Sequence, residues 1–197
     1  MDANSAYSGA IYGTDGWGAS SASFGNLIRA TAEINESIFP TRHEYHDLEP
    51  DTGGPGRWRG MPGSRYVKRV TAPTALFTYQ IGMKHPMPGV AGGRPGGPNR
   101  FTIRPGQPDA ERVTHTAAMA PLRAGDAIEW KYGGGGGWGD PYEREPEKVI
   151  DDVLDELVSM EGARRDYGVA VNGSGDDLAI DWTETERLRK ARLAPSS

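Results

Sequence analysis

The spacing of apolar residues changes twice along the chain, and each change marks a change of structure. Between Phe24 and Ile38, the positions Leu27, Ile28, Thr31, Ile34 and Ile38 recur three and four residues apart, which predicts a helix with one core-facing side. Asn26 or Ser23 can cap it, and Phe39-Pro40 ends it, because a residue before proline avoids the α region. Period-two patterning follows. Thr41–Glu49, Ser64–Val70 and Thr74–Ile81 read as strands, the last two joined around Ala72-Pro73. Phe101–Arg104, Val113–Met119 and Ala127–Tyr132 are shorter strand candidates. Beyond residue 140 the helical period returns. Pro146 suits a first turn, and Val149, Ile150, Val153, Leu154, Leu157 and Val158 form one apolar stripe. Lys148 and Asp152, four apart, are placed to pair. Ser159 can cap a second, short helix closed by Gly168 in the left-handed conformation.

This pattern predicts an α+β chain: a β-rich domain full of glycine and proline loops, followed by a helical hairpin. Residues 1–23 read as a polar leader, ordered only against a partner, with Tyr7, Tyr12 and Trp17 as possible anchors. Residues 24–139 form the β-rich domain with its one N-terminal helix, 140–171 the hairpin, and 172–197 a polar tail. In that tail Leu178, Ile180, Trp182 and Leu188 could pack a last turn or two before the end frays.

Three loops interrupt the strands. Asp51–Gly63 surrounds Arg57-Trp58-Arg59, and Lys84–Arg100 is long for a loop without structure of its own. The third is the run Gly133–Gly137, between a strand and the helices, flanked by Trp130, Tyr132, Trp138 and Tyr142. Ordering five glycines costs considerable chain entropy. A flexible linker is one explanation. The aromatic flanks favour another: backbone lying close to a ligand, a neighbouring loop or another chain.

Composition narrows the function classes. The 197 residues suit one domain with a tail, and the net charge of −5 does not mark a nucleic-acid binder. The absence of cysteine excludes disulfides and thiolate metal sites and fits the cytoplasm. No apolar run is long enough to span a membrane, and the first residues carry no secretion signal. Charge is uneven. Residues 42–131 hold 13 basic and 8 acidic side chains, whereas 140–166 hold 4 basic and 10 acidic. The acidic part is either a solvated helix or an arm docking on a basic surface, its own or a partner's.

Catalytic chemistry is sparse. A phosphate loop needs Lys-Ser/Thr after its glycines, but Trp138 follows Gly137. The dinucleotide fingerprint fails because Gly-Asp-Pro-Tyr-Glu-Arg-Glu intervenes before the helix. Backbone amides of the run could still cradle an anion, although Asp140, Glu143 and Glu145 would repel it. There is no nucleophile elbow and no His-Glu-x-x-His, and His85 and His115 lack partners at useful spacing. Nothing brings two of Asp15, Asp47, Asp51 and Asp140 together as a carboxylate pair. On a regular strand His43 and His46 would face opposite sides, so they are not expected to converge on a metal. No metal site is predicted.

Several motifs in order resemble the hydantoinase B/oxoprolinase family, which includes large subunits of ATP-dependent ketone carboxylases. They are Glu36–Gly63 with its arginine-containing glycine loop, Gly92-Gly-Arg-Pro-Gly-Gly-Pro-Asn, Leu122-Arg-Ala-Gly-Asp-Ala-Ile-Glu, and Gly133–Glu147 followed by Ala163-Arg-Arg-Asp-Tyr-Gly-Val. The resemblance runs from about Gly16 to Val171 and corresponds to the carboxyl-terminal portion of longer family chains. It implies a naturally split B-type subunit, or a shortened form of one. Its partners would be an A-type ATP-binding subunit and an N-terminal B-type subunit in a hetero-oligomer, with no nucleic acid or membrane involved. Family members open cyclic amides such as hydantoins and oxoproline, or carboxylate ketones, by phosphorylating a carbonyl or enol oxygen. ATP and a divalent metal are expected in the partner subunits and no cofactor on this chain alone, because the family's ligands lie in the amino-terminal part. Trp138 replaces a usual tyrosine or phenylalanine, and Lys84-His-Pro-Met-Pro stands where relatives often carry consecutive arginines. These departures bear on substrate more than on fold, and a split subunit points to a ketone carboxylase rather than a simple hydantoinase.

The candidate interface or site-wall residues are Gly53, Gly54, Arg57, Arg59, Gly92, Gly93, Arg94, Gly133, Gly134, Gly135, Gly136, Gly137, Gly139 and Asp140. Arg57 and Arg59 could clamp a carboxylate or phosphate, or serve as salt bridges within their loop. No residue of this chain is assigned as catalytic. The competing expectation is a noncatalytic assembly protein that stabilises a larger complex.

Overall fold

The computed structural model describes residues 7–18, 30–114 and 117–193. Its body is a five-stranded antiparallel sheet. Strand β1 (Thr41–Leu48) pairs with β2 (Ser64–Val70), which pairs in turn with the central β7 (Ala127–Lys131). On the other side of β7 lie β4 (Arg100–Ile103) and β5 (Glu111–Arg112), giving the order β1-β2-β7-β4-β5. A separate ribbon of β3 (Thr74–Tyr79) and β6 (Ala117–Leu122) stands beside it. Of the expected strand Val113–Met119, Ala117–Met119 falls in β6, whereas β5 ends at Arg112, just before it, and belongs to a different ladder.

Alternation builds the core. Ser64, Tyr66, Lys68 and Val70 of β2 are buried, whereas Arg65, Val67 and Arg69 between them are half-buried. Tyr66 and Val70 join Phe101, Ile103, Val113, Leu122, Ile128 and Trp130 in one apolar cluster, with Leu76 and Ala120 of the ribbon packed against it. The opposite face of the sheet is wet and ion-paired, through Arg65 with Glu129 (2.7 Å) and Arg69 with Glu44 (2.8 Å).

Helix α1 (Ala32–Ile38) does not turn its apolar side to the core as expected: Ile34 and Ile38 are exposed, and Asn35 is its buried residue. Thr31 caps it by accepting from the Ile34 N–H; the proposed caps Ser23 and Asn26 lie outside the described residues. The helical hairpin forms as expected, from α2 (Pro146–Leu154) and α3 (Met160–Tyr167). Ser159 caps α3, and Gly168 closes it at φ 62°. Val149, Val158, Ala163, Tyr167, Val169 and Val171 make a second core. The apolar stripe, however, is broken. Helix α2 stops at Leu154, which is exposed, and Glu156 turns left-handed (φ 56°) to bring Val158 back inward. Asp152 does not pair with Lys148. Lys148 meets Glu145 at 3.1 Å, and Asp152 points into the interior.

The described parts of two segments expected to be loose, residues 7–18 and 172–193, are packed on the chain itself. In the leader, the Tyr7 hydroxyl donates to Ser64 (2.6 Å), and the Ala10 N–H donates to Gly136 (2.8 Å). In the tail, β8 (Val171–Asn172) pairs with β9 (Ala179–Ile180), and α4 (Trp182–Leu193) follows. Helix α4 has almost no apolar side and is held by polar contacts instead. Asp181 caps it through the Glu184 N–H (2.9 Å), and buried Thr185 accepts from the Ala170 N–H (3.0 Å). Arg189 donates to the Arg144 carbonyl (2.7 Å).

Candidate functional site: a glycine core stapled by arginines

The run Gly133–Gly137 passes through the middle of the molecule with backbone on three sides. A β-carbon on Gly133 would collide with the Gly97 carbonyl oxygen, and one on Gly136 with that of Pro88. Those on Gly134 and Gly137 would meet the carbonyls of Thr52 and Pro55, and that on Gly135 the carbonyl of Ser8. The directions repeat every three residues: to the 84–100 loop, the 51–63 loop and the leader in turn. This is the three-residue turn of a polyproline-type helix rather than the two-residue period of a strand. All five positions lack room for any side chain, and none of the five has a left-handed φ. Close approach is therefore the reason for glycine here.

Main-chain hydrogen bonds join these segments. Gly54 N–H donates to Gly135 (2.8 Å), Gly135 to Met61 (2.9 Å), Gly137 to Arg94 (3.0 Å) and Val90 to Gly137 (2.9 Å). Trp58 and Trp138 exchange both their N–H···O bonds, at 3.0 and 2.9 Å. Their rings stack edge to face at 5.0 Å, and Tyr12 closes an aromatic trio.

The structure brings most of the sequence-selected glycines together: Gly53, Gly54, Gly93 and Gly133–Gly137 share this core. Gly92 (φ 95°) is exposed at its edge beside Asp140, and Gly139 (φ 74°) packs on Arg57. Sequence reasoning passed over Gly60, Gly63 and Gly96, which are packed as tightly. Their Pro-Gly and Gly-Met-Pro-Gly contexts were the available signal.

Three loop arginines reach the acidic C-terminal part. Arg57 pairs with Glu143 (3.7 Å), Arg59 with Asp152 (3.0 Å) and Arg94 with Asp166 (2.8 Å). The acidic arm thus docks on its own chain's basic loops. The three bonds differ in character. Arg57 is half exposed, lies over the Trp58 ring at 5.0 Å and holds a weak surface pair. Arg59 is buried and also donates to the Gly60 carbonyl. Asp140 caps the turn at Tyr142 and meets Arg192 at 2.5 Å. Burial acts to raise the Asp140 carboxyl, but Arg192 and the Tyr142 N–H outweigh it and hold it below the ordinary range.

Beneath the loops lies a four-charge cluster that sequence reasoning missed. Arg144, 2 % exposed, donates to both Asp15 oxygens (2.7 and 2.9 Å) and meets Asp152 at 2.8 Å; Asp152 in turn holds Arg59. The Arg59 N–H also donates to Asp15 (2.6 Å). Two cations and two anions balance. Burial opposes the charge on Asp15, but Arg144 and the Arg59 N–H outweigh it, so its pKa is lowered. Burial likewise opposes the charge on Arg144, yet Asp15 and Asp152 leave its pKa raised. Tyr167 abuts the cluster, and burial pushes its hydroxyl pKa up, keeping it neutral.

The histidine pair corrects an expectation. In β1, His43 is opposite Lys68, Tyr45 opposite Val67 and His46 opposite Tyr66, so Glu44 is an extra, bulged residue. The bulge resets the alternation and puts both histidines on the face of Tyr66. Their rings lie edge-on to it at 5.1 and 5.0 Å, with His43 Nε2 2.8 Å from the Tyr66 hydroxyl. Among the described residues no group of three or more His, Cys, Asp or Glu side chains is placed to hold a metal ion. Exposed His85 sits in the 84–100 loop, and His115 lies outside the described residues. Among the described residues no helix is long and apolar enough to cross a membrane.

Residues 3–141 match the Hydantoinase B/oxoprolinase family, and the chain belongs to that family. It is 32 % identical, over 96 % of its length, to a protein of Pseudomonas sp. strain NS671 assigned as the B-type component of a D-/L-hydantoinase, and covers 32 % of that protein. It is 31 % identical over 93 % of its length to the beta chain of caprolactamase from Pseudomonas jessenii, again covering 32 %. The solved structure of ATP-dependent caprolactamase from P. jessenii superposes with a TM-score of 0.73 at 27 % identity, across 94 % of this chain and 32 % of that one. A nucleotide-free acetone carboxylase shares the fold with a TM-score of 0.82 over 98 % of this chain and 30 % of its own. The chain therefore spans about a third of the length of the relatives it matches.

Proposed function

We propose that this chain is the carboxyl-terminal B-type portion of a heteromeric, ATP-dependent enzyme. The enzyme would open cyclic amides of the hydantoin, oxoproline or lactam kind, or carboxylate ketones. The observation that carries this reading is the alignment of nearly the whole chain with the B-type component of a hydantoinase and the beta chain of a caprolactamase, at 32 and 31 % identity. ATP and a divalent metal belong, in this reading, to an A-type subunit and to the rest of the B-type polypeptide. The chain's own contribution is a rigid wall and an interface in the cytoplasm.

The glycine core suits that task because it has no side chains to rearrange. Arg57 is the arginine left available, since its pair with Glu143 is long and exposed. It can turn toward an anionic group, such as a phosphorylated intermediate or a carboxylate, with a geometry suited to two oxygens. Arg59 and Arg94 are engaged by Asp152 and Asp166. That engagement favours a second reading for those two side chains, in which this portion is scaffold alone.

The test is native mass spectrometry of the complex isolated through a tag on this chain, with metal analysis and ATP turnover on the same sample. Cyclic amides, and ketones with bicarbonate, are supplied as substrates. Recovery of larger family subunits with metal and substrate-dependent ATP turnover supports the proposal. A folded chain that emerges alone and inactive from its source refutes it.

A further inference from the structure

The ribbon β3–β6 is patterned inside out. Its inner face carries Leu76, Ala120 and Leu122 onto the main core, but also the buried polar side chains of Thr78 and Gln80. Its outer face is apolar. Phe77, Tyr79 and Met119 are 65, 68 and 75 % exposed, and Phe77 is directly opposite Met119 in the ladder. Ala75 opposite Pro121 extends the same face, and Ile81, 68 % exposed, continues the line beyond β3. Neither strand contains a charged residue. A ribbon on the surface of a finished protein would put its apolar side inward and charges outward. This one is written for burial on both sides, and a contiguous apolar face of this kind marks an interaction surface.

We infer that the outer face of the β3–β6 ribbon is the seat of the remaining two-thirds of the B-type polypeptide. This rests on the functional reading above. Two observations select that occupant. First, the fold is kept nearly whole in the solved relatives, at TM-scores of 0.82 and 0.73 over 98 and 94 % of this chain. There it is 30 and 32 % of a single, longer polypeptide, so each relative supplies the rest of that polypeptide as a neighbour of this same fold. Second, the face is uncharged and aromatic, the composition of a permanent interface rather than of a transient, charge-steered contact. The inference holds whether the other two-thirds is a separate subunit or is continuous with this chain.

Photocrosslinking from position 77 tests it. Phe77 is replaced by a benzophenone amino acid in the tagged chain produced in its source, the complex is irradiated, and the attachment point is sequenced by mass spectrometry. The expected attachment lies in B-type sequence outside the portion described here. In parallel, Phe77→Asp and Met119→Lys should lower recovery of that portion at least tenfold, with melting of the isolated chain unchanged. Attachment to the A-type subunit or to a second copy of this chain overturns the inference while leaving the functional reading intact. So does undiminished recovery with both charged variants. If the unaltered chain recovers no family subunit, the functional reading itself fails and takes the inference with it.

Discussion

Asp15 and Arg144 meet through two parallel hydrogen bonds across 129 residues of sequence. The contact joins the leader to the first residues of the helical part. It lies where residues 7–18 and the helical part meet over the glycine core, and Asp152 and Arg59 complete its charge balance.

Removing one member leaves a charge in the interior. Asp15→Asn should destabilise the fold by about 3 kcal/mol, at the low end for a broken buried pair because Arg144 keeps Asp152. Urea unfolding of variant and parent, with equal slopes, measures it.

The same residue sets part of the acid limit. The Asp15 pKa is lowered in the folded protein, so its contribution is fully present above the unfolded value near about pH 4. It is lost as pH falls through the lower folded value, because the unfolded chain then binds more protons. Stability should decline below about pH 4, and Asp15→Asn should flatten that decline. Melting temperatures between neutral and strongly acidic pH read both.

Glycine-to-alanine changes should separate sharply by position. Gly135→Ala drives a β-carbon into the Ser8 carbonyl and should cost about 3 kcal/mol or prevent folding. At Gly97 the nearest atom is the Thr52 Cβ at 3.4 Å, so Gly97→Ala should stay within about 1 kcal/mol. Soluble yield and urea midpoints distinguish the two.

Helix α3 depends on one hydroxyl. Ser159 Oγ accepts from the Gly162 N–H (2.9 Å) and donates to Asp51 (2.6 Å), whose backbone is held left-handed at φ 61°. Ser159→Ala should cost about 1–2 kcal/mol, read as a drop in melting temperature.

Arg57 should behave oppositely to the buried charges. Its exposed pair predicts that Arg57→Ala changes stability by less than about 1 kcal/mol. In the assembled complex the same variant should lower substrate-dependent ATP turnover at least tenfold. Unchanged turnover would leave Arg57 as surface.

The sequence was most informative where one rule acted alone. Strand β2 follows strict alternation and was read to the residue, and Gly168 closes α3 as its position indicates. Helix α4 was hidden because its stability comes from polar contacts rather than an apolar stripe. The signal was present in Asp181-Trp-Thr-Glu184, a capping pattern, and in Glu186 paired with Lys190 at 2.9 Å. The histidine pair was misread because a bulge at Glu44 leaves no mark in alternating polarity. The charge quartet joins residues 15, 59, 144 and 152, three of them buried and Asp15 partly so, and no local pattern predicts a meeting at such separations. The glycine core was half legible. The run announced close approach, but which backbones approach is a property of the whole fold.

The three-sided enclosure of Gly133–Gly137 also bears on how the protein forms. No pair of neighbouring segments can make this core. The leader, the 51–63 loop, the 84–100 loop and the run itself must arrive together, and each gives up glycine's large conformational freedom for contacts that exist only when all are present. The core should therefore close late and cooperatively, after the sheet.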